Sequence, residues 1–325
     1  MSWKTRSLAV IMTIILCYAF VSYQFPSNKS TKIRLGINPW PGYELLVVAE
    51  QLGYFEEFGV DIELVDIGSL ADIRRAFDRK QINAMTCTLS EVVQTGLLAE
   101  RPSHIIMVSD FSIGGDVILA KEEIKSVKDL KGKRVGIEAA SLGGYIIYRA
   151  LELNNLNIND VELVSVDQPY GASFMKEGKI DAQVTYSPYD QEIMNTLKVN
   201  EIFSSMEIPG EVVDIIAVSP EIAKNSPKSI KGFLRAWEKA YNLMQRDPDT
   251  VHAIMAQHLG IQIDELRDAL KGVKILNLQM QKDLFKTDTI EKALERVEEI
   301  ARIEQNTNYI PKTVVIDKSF ILNLE

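Results

Sequence analysis

Cysteine is almost missing from this chain. Its 325 residues contain two, Cys17 and Cys87, too few for a disulfide framework or a cysteine-built zinc site. Histidine is nearly as scarce: His104, His252 and His258 show no metal-ligand spacing. Positive charge is also short, with 36 Lys and Arg against 45 Asp and Glu and a net charge of −9. Without a basic face or tail, nucleic acid is not an expected partner. No G-x-G-x-x-G fingerprint, phosphate loop, metal pair or nucleophile–His–Asp pattern is present, so neither a cofactor nor a catalytic centre is expected. What the chain does have is ordinary for a globular protein: 46% hydrophobic and 25% charged residues. Its length suits one large domain or two lobes.

Long apolar runs are absent except at the start. Lys4 and Arg6 precede "SLAVIMTIILCYAFVSY", which carries no charge. This is the pattern of an export signal or a retained N-terminal membrane anchor over residues 1–24. The run falls slightly short of the roughly 20 residues that span a bilayer comfortably. Leu16 before Cys17 does not suit a lipid-attachment box, and no small-x-small cleavage site stands out between Ala19 and Ser22. Cleavage, acylation and retention therefore stay open. In each case the body is expected outside the cytoplasm, periplasmic, either free or held at the inner membrane. Removing the segment takes away Lys4 and Arg6 and no acid, moving the net charge from −9 to −11, which suits a freely diffusing protein. The body then keeps Cys87 alone, expected as a small buried residue rather than a reactive thiol. Residues 25–31 read as a linker.

From residue 32 short strands alternate with helices. "KIRLGI" is a strand, "GYELLVVAEQLGYF" a helix, "VDIELVDI" a strand, "SLADIRRAFDRKQ" a helix, "INAMTCT" a strand. This rhythm predicts an α/β fold with parallel sheets. It restarts at Gly115, and "AFDRKQINAMT" in the first block has a weak echo in "FMKEGKIDAQVT" in the second. Two lobes of one topology with a cleft between them follow, the ligand sitting at the carboxyl ends of strands. From about residue 220 the chain reads as almost entirely helical. There Phe233, Trp237 and Tyr241 recur at helical spacing and predict a core stripe.

Several motifs carry a resemblance, in order: "PWPGY", "AEQLGYFEEFGVDIELVDIGSLADIRRAF", "INAMT", "DFSIGGDVILA", "SVKDLKGKRVGIEAASLGGY" and "GKIDAQVTYSPY". Over roughly residues 32–300 the chain resembles the extracytoplasmic solute-binding proteins of ABC importers. More narrowly, it is similar to the nitrate/sulfonate/taurine and thiamine-precursor-binding family (SsuA-like, NMT1/THI5-like). The resemblance implies a type II periplasmic-binding fold. Lobe 1 would comprise residues 32–113 plus 218–325 and lobe 2 residues 114–217, with the hinge passing through "GGDVI" and "VVDII". It also implies a ligand gripped between lobes that close by hinge bending.

Candidate ligand residues follow, each with a structural alternative. Trp40 and Tyr43 sit where the family contacts ligand, and Pro39 and Pro41 fix the backbone that presents the ring. The alternative is a packed corner. Thr86 and Thr88 end a strand and could offer hydroxyls to an anion or carbonyl, or simply cap the next helix. Ser112 and Asp116 flank Gly114 and Gly115 at the expected hinge, where Asp116 could pair with a ligand amine or make a hinge hydrogen bond. Ser141, Gly143, Gly144 and Tyr145 open a helix whose N–H groups could cradle an oxyanion. Tyr186 and Tyr189 could wall the cleft opposite Trp40, or pack between lobes. Asp214 lies beside the return hinge strand.

The leading expectation is solute capture, by a monomer, of a small nitrogen- or sulfonate-containing organic compound for delivery to a membrane permease. An aromatic wall near Asp116, Asp214 and Glu44, with no Arg or Lys in these motifs, favours a zwitterionic or heteroaromatic nitrogen compound over nitrate or sulfate. A second reading is a membrane-anchored sensor of the same fold that signals to a partner. A third is a thiamine-pyrimidine synthase-like enzyme. The resemblance assigns that branch an active-site His and a Cys-rich iron-binding stretch, and this chain lacks the stretch.

Overall fold

The structure, a computed structural model, describes residues 31–324. The expected signal or anchor, the linker up to residue 30 and Cys17 lie outside the described residues. Among the described residues no helix is long and apolar enough to cross a membrane.

Two sheets organise the fold. The first contains β1 (Ile33–Ile37), β2 (Ile62–Asp66), β3 (Ala84–Thr88) and β4 (Ser103–Ser112). The second contains β5 (Asp116–Lys121), β6 (Arg134–Ile137), β7 (Glu162–Ser165), β8 (Ala182–Tyr186) and β9 (Val199–Ser204). The chain then returns to the first sheet with β10 (Val213–Val218), β11 (Val273–Ile275) and β12 (Val314–Ile316). The orders are β11-β4-β10-β3-β1-β2, with β12 pairing β4, and β7-β6-β8-β5-β9. In each sheet the strand laid down just after a crossing runs antiparallel between two others. β5 lies between β8 and β9, and β10 between β3 and β4. The equivalence holds in register. Asp116 opposes Tyr186, the last residue of β8, and Asp214 opposes Thr88, the last residue of β3. The echo between the two sequence blocks is therefore an echo of topology.

The structure differs from the sequence-based expectation in three places. The tail contributes two three-residue strands, β11 and β12, to one side of the first sheet; runs this short show no readable periodicity. β9 lies where no strand was expected. "VVDII" is not a crossing segment: β10 is wholly within the first sheet, and the return passes through residues 205–212.

The core is built as the pattern predicts. β1, β3, β4, β5, β8 and β10 are buried along almost their whole length, as strands covered on both faces must be. Phe233 and Trp237 are buried on the Pro227–Arg246 helix, and the Trp237 indole donates to the Leu276 carbonyl. Cys87 is buried and free, and burial pushes its thiol up. The Thr289–Glu304 helix touches both lobes: Glu304 accepts from Gln94, and Arg296 pairs with Glu152.

Candidate functional site

The strand-to-turn junction at Trp40 shows how the sequence positions a cleft residue. Trp40 is extended (φ −146, ψ 124), the conformation that a following proline enforces. Pro41 then starts a short 3-10 turn, Pro41–Tyr43. The ring is thereby aimed at the lobe junction, where it meets Tyr186 edge-on with centroids 5.8 Å apart. Its indole N–H donates to Asp110 Oδ1 at 3.1 Å. Gly115 permits this seat, because a Cβ there would lie 2.6 Å from the ring and 3.1 Å from the Gly272 carbonyl. Trp40 is thus both a packed corner and part of the wall.

Two adjoining cavities mark the cleft. One is lined by Asn38, Trp40, Tyr43, Leu70, Asp116, Leu142, Tyr186 and Asp214. The other takes Glu138, Ser141, Gly143, Ile146, Gln168 and Val184 and shares Leu70, Asp116, Leu142 and Tyr186. Each is about 10 Å³, roughly the room one water needs. The lobes are therefore closed upon each other, and an organic ligand enters only as they part. A larger open groove of about 690 Å³ lies elsewhere, against Arg235, Lys239 and Arg246; it uses no residue of the cleft.

Of the expected residues, Trp40, Tyr43, Asp116, Ser141, Gly143, Tyr186 and Asp214 line these cavities. The others are placed differently. Thr86 donates to Asn38, and Thr88 caps the Leu89–Ala99 helix. The Ser112 hydroxyl lies 2.7 Å from that of Ser205 and accepts from the Asp116 N–H, tying the two crossing segments together. A side chain at Gly144 would overlap the Glu304 carboxylate. Tyr145 points to Glu211, donating at 2.6 Å. Tyr189 reaches across the lobes and donates to the Gly68 carbonyl at 2.7 Å. Glu44, expected near the cleft, instead binds His258 at 3.0 Å.

Asn38, Leu70, Glu138, Leu142 and Gln168 were missed. Leu70, Glu138 and Leu142 lie inside the quoted motifs but carry no local sign of a ligand contact, while Asn38 and Gln168 are brought to the cavities by the packing of distant segments. Glu91 was missed too. "TLSE" is a capping box, and Glu91 does close it, accepting from the Thr88 N–H at 2.7 Å. Its other oxygen crosses to the second lobe and accepts from the Ser141 hydroxyl at 2.6 Å and the Leu142 N–H at 2.8 Å. Arg74 makes a parallel contact, donating to the carbonyl of Ala140. Ala140 has φ 53, an unusual conformation for a residue with a Cβ.

The electrostatics are one-sided. Glu91, Asp110, Asp116, Glu138 and Asp214 are all buried, and no Arg or Lys lines either cavity. Burial pushes Asp110 and Asp116 up to about 7 and Glu138 to about 8. Asp214 is pushed well up, first by burial and then by Asp110 and Asp116. Asp110 and Asp214 are cross-strand partners, with a β-bulge directly after Asp214. Tyr43 donates to Asp214 Oδ1, and Asp110 shares a hydrogen bond with the same carboxyl group. Among the described residues no three His, Cys, Asp or Glu converge to hold a metal ion.

Two lobes of one topology, joined by two crossings and closed over a polar cleft, define the type II periplasmic-binding class. Residues 40–251 match the family described as "NMT1/THI5 like", and the chain belongs to that family. A Haemophilus influenzae protein provisionally named for thiamine biosynthesis is 26% identical over 250 residues, 73% of this chain and 77% of its own. The 4-amino-5-hydroxymethyl-2-methylpyrimidine phosphate synthase of Legionella pneumophila is 19% identical over 71% of this chain and 75% of its own. The periplasmic aliphatic sulphonate binding protein SsuA from Escherichia coli shares the fold, with a TM-score of 0.69 over 90% of this chain and 98% of its own at 18% identity.

Proposed function

We propose that this protein is the extracytoplasmic solute-binding component of an ABC importer. It captures a small nitrogen-containing organic solute between its lobes and presents the closed form to a membrane permease. The observation that carries this reading is the cleft itself. Trp40, Tyr43 and Asp214 from one lobe face Asp116, Leu142 and Tyr186 from the other around one enclosed space. A site assembled from both lobes couples binding to closure. A binding role is favoured over catalysis because no Cys or His is among the residues that line the two cleft cavities. The Cys87 thiol is pushed up by burial, His258 is tied to Glu44 and Asp66, and His104 lies beside Asp317.

A thermal-shift screen over amines, sulfonates and pyrimidines tests the reading. A solute at about 100 times its Kd should stabilise the protein by about 2.7 kcal/mol. Turnover of a bound pyrimidine without release of intact ligand would favour the enzyme instead.

A further inference from the structure

The oxyanion cradle expected at the start of the Leu142–Leu153 helix is already filled, and by the chain itself. Glu91 brings its carboxylate from the opposite lobe onto the Ser141 hydroxyl and the Leu142 N–H. These are the groups that a ligand's carboxylate, sulfonate or phosphate would use at a helix N-terminus. Beyond this occupied seat, the cavity walls offer acceptors in excess. Gln168 Oε1 is buried without a partner, and the buried Asp214 carboxyl meets only Tyr43 and a second acid, Asp110. Gln168, which lines the second cavity, gives an Nε2 hydrogen to the Val184 carbonyl and leaves its oxygen without a partner. Asp116 is buried and lines both cavities, neither of which has an Arg or Lys in its lining. Buried acceptors of this kind are costly unless a donor, and best a charged one, completes them.

From this lining we infer that the cleft selects a small organic cation without an anionic group, countered by Asp116 and Asp214, because on closure Glu91 takes the cradle that an anionic group would need. The inference rests on the solute-binding reading and narrows it: the zwitterion allowed by the sequence loses its seat for the negative end. The same carboxylate that excludes anions also joins the lobes, so Glu91 links closure to ligand charge.

Matched probes of one shape and different charge test this in the intact protein. N-methylpyridinium, pyridine and pyridinesulfonate form one series; propylammonium, propanol and propanesulfonate form another. Binding is read by thermal shift and calorimetry at about pH 8, where pyridine is neutral and the amine charged. In at least one series the cation should bind about tenfold or more tighter than its neutral partner, and neither sulfonate should bind. In Glu91→Ala the sulfonates should gain affinity. The unmodified protein carries the test if that variant folds poorly. Failure of the cation to reach that margin in both series, or binding of either sulfonate to the parent protein, overturns the cation inference and leaves solute binding standing. Silence from every probe in both series overturns the cation inference. Silence across the broad solute screen as well overturns both.

Discussion

At the scale of single residues, the molecule reserves its buried carboxylates for two different tasks, and partners tell them apart. Glu44 is paired. Burial pushes it up to about 7, while His258, held first by Glu44 and then by Asp66, rises to about 9. Around pH 8 the pair is thus a carboxylate facing an imidazolium. The folded-state value of His258 exceeds its ordinary value of about 6.5, so its stabilisation is complete below that pH and is lost as pH rises through about 9. His258→Gln should cost about 2 kcal/mol near pH 8. That is below the usual loss on breaking a fully buried pair, because the imidazole is partly exposed. Urea unfolding at about pH 8 and pH 10 should show the gap between variant and parent shrinking at the higher pH. An unchanged gap would mean that His258 acts by packing alone. Asp116, Glu138 and Asp214, which line the cleft cavities, have no Arg or Lys beside them in that lining.

At the scale of elements, the crossings set the geometry. Ile113 and Gly115 both donate to the Gly272 carbonyl, at 2.8 and 3.1 Å, and Gly115 lies under the Trp40 ring. Gly115→Ala should therefore force the indole or the Gly272 turn aside, at a cost of about 1–3 kcal/mol. The readouts are a lower Tm and a shifted tryptophan emission; unchanged emission with native stability would show that the crossing yields without moving Trp40. Much of this level was legible in the sequence. The alternation of strands and helices and the weak echo between blocks rest on local patterns, whereas the hinge at "GGDVI" is implied by the family resemblance. Asp116 and Asp214 stood out because the family resemblance runs the hinge through "GGDVI" and "VVDII". Glu91 did not, since a capping box explains a glutamate fully by local bonds; its second oxygen serves a partner 50 residues away. Tyr145 and Gly144 failed for the converse reason. Being next to the cradle in sequence does not place them in it, because successive residues on a helix point about 100° apart.

At the scale of the whole molecule, charge placement couples stability to pH. Asp110 and Asp116 rise to about 7, Glu138 to about 8 and Glu304 to about 7, each chiefly because burial disfavours the ionised form. Their folded-state values lie above the ordinary carboxyl range near 4. The folded protein therefore binds protons that the unfolded chain releases. The sign follows: this contribution is fully present below about pH 4 and is lost as pH rises through about 7 to 8. The unliganded protein should be more stable at about pH 5.5 than at pH 8.5, opposite to the usual behaviour of salt-bridged carboxylates. One such group contributes a slope of at most about 1.4 kcal/mol per pH unit. Asp116→Asn should flatten the decline by up to that amount between about pH 5 and pH 7, while leaving the His258 decline near pH 9 intact. Chemical unfolding of parent and variant across this range measures it. Stability that rises steadily from pH 5.5 to 8.5 in the unliganded parent would mean that the closed cleft holds its carboxylates ionised, against what their burial without a cation requires.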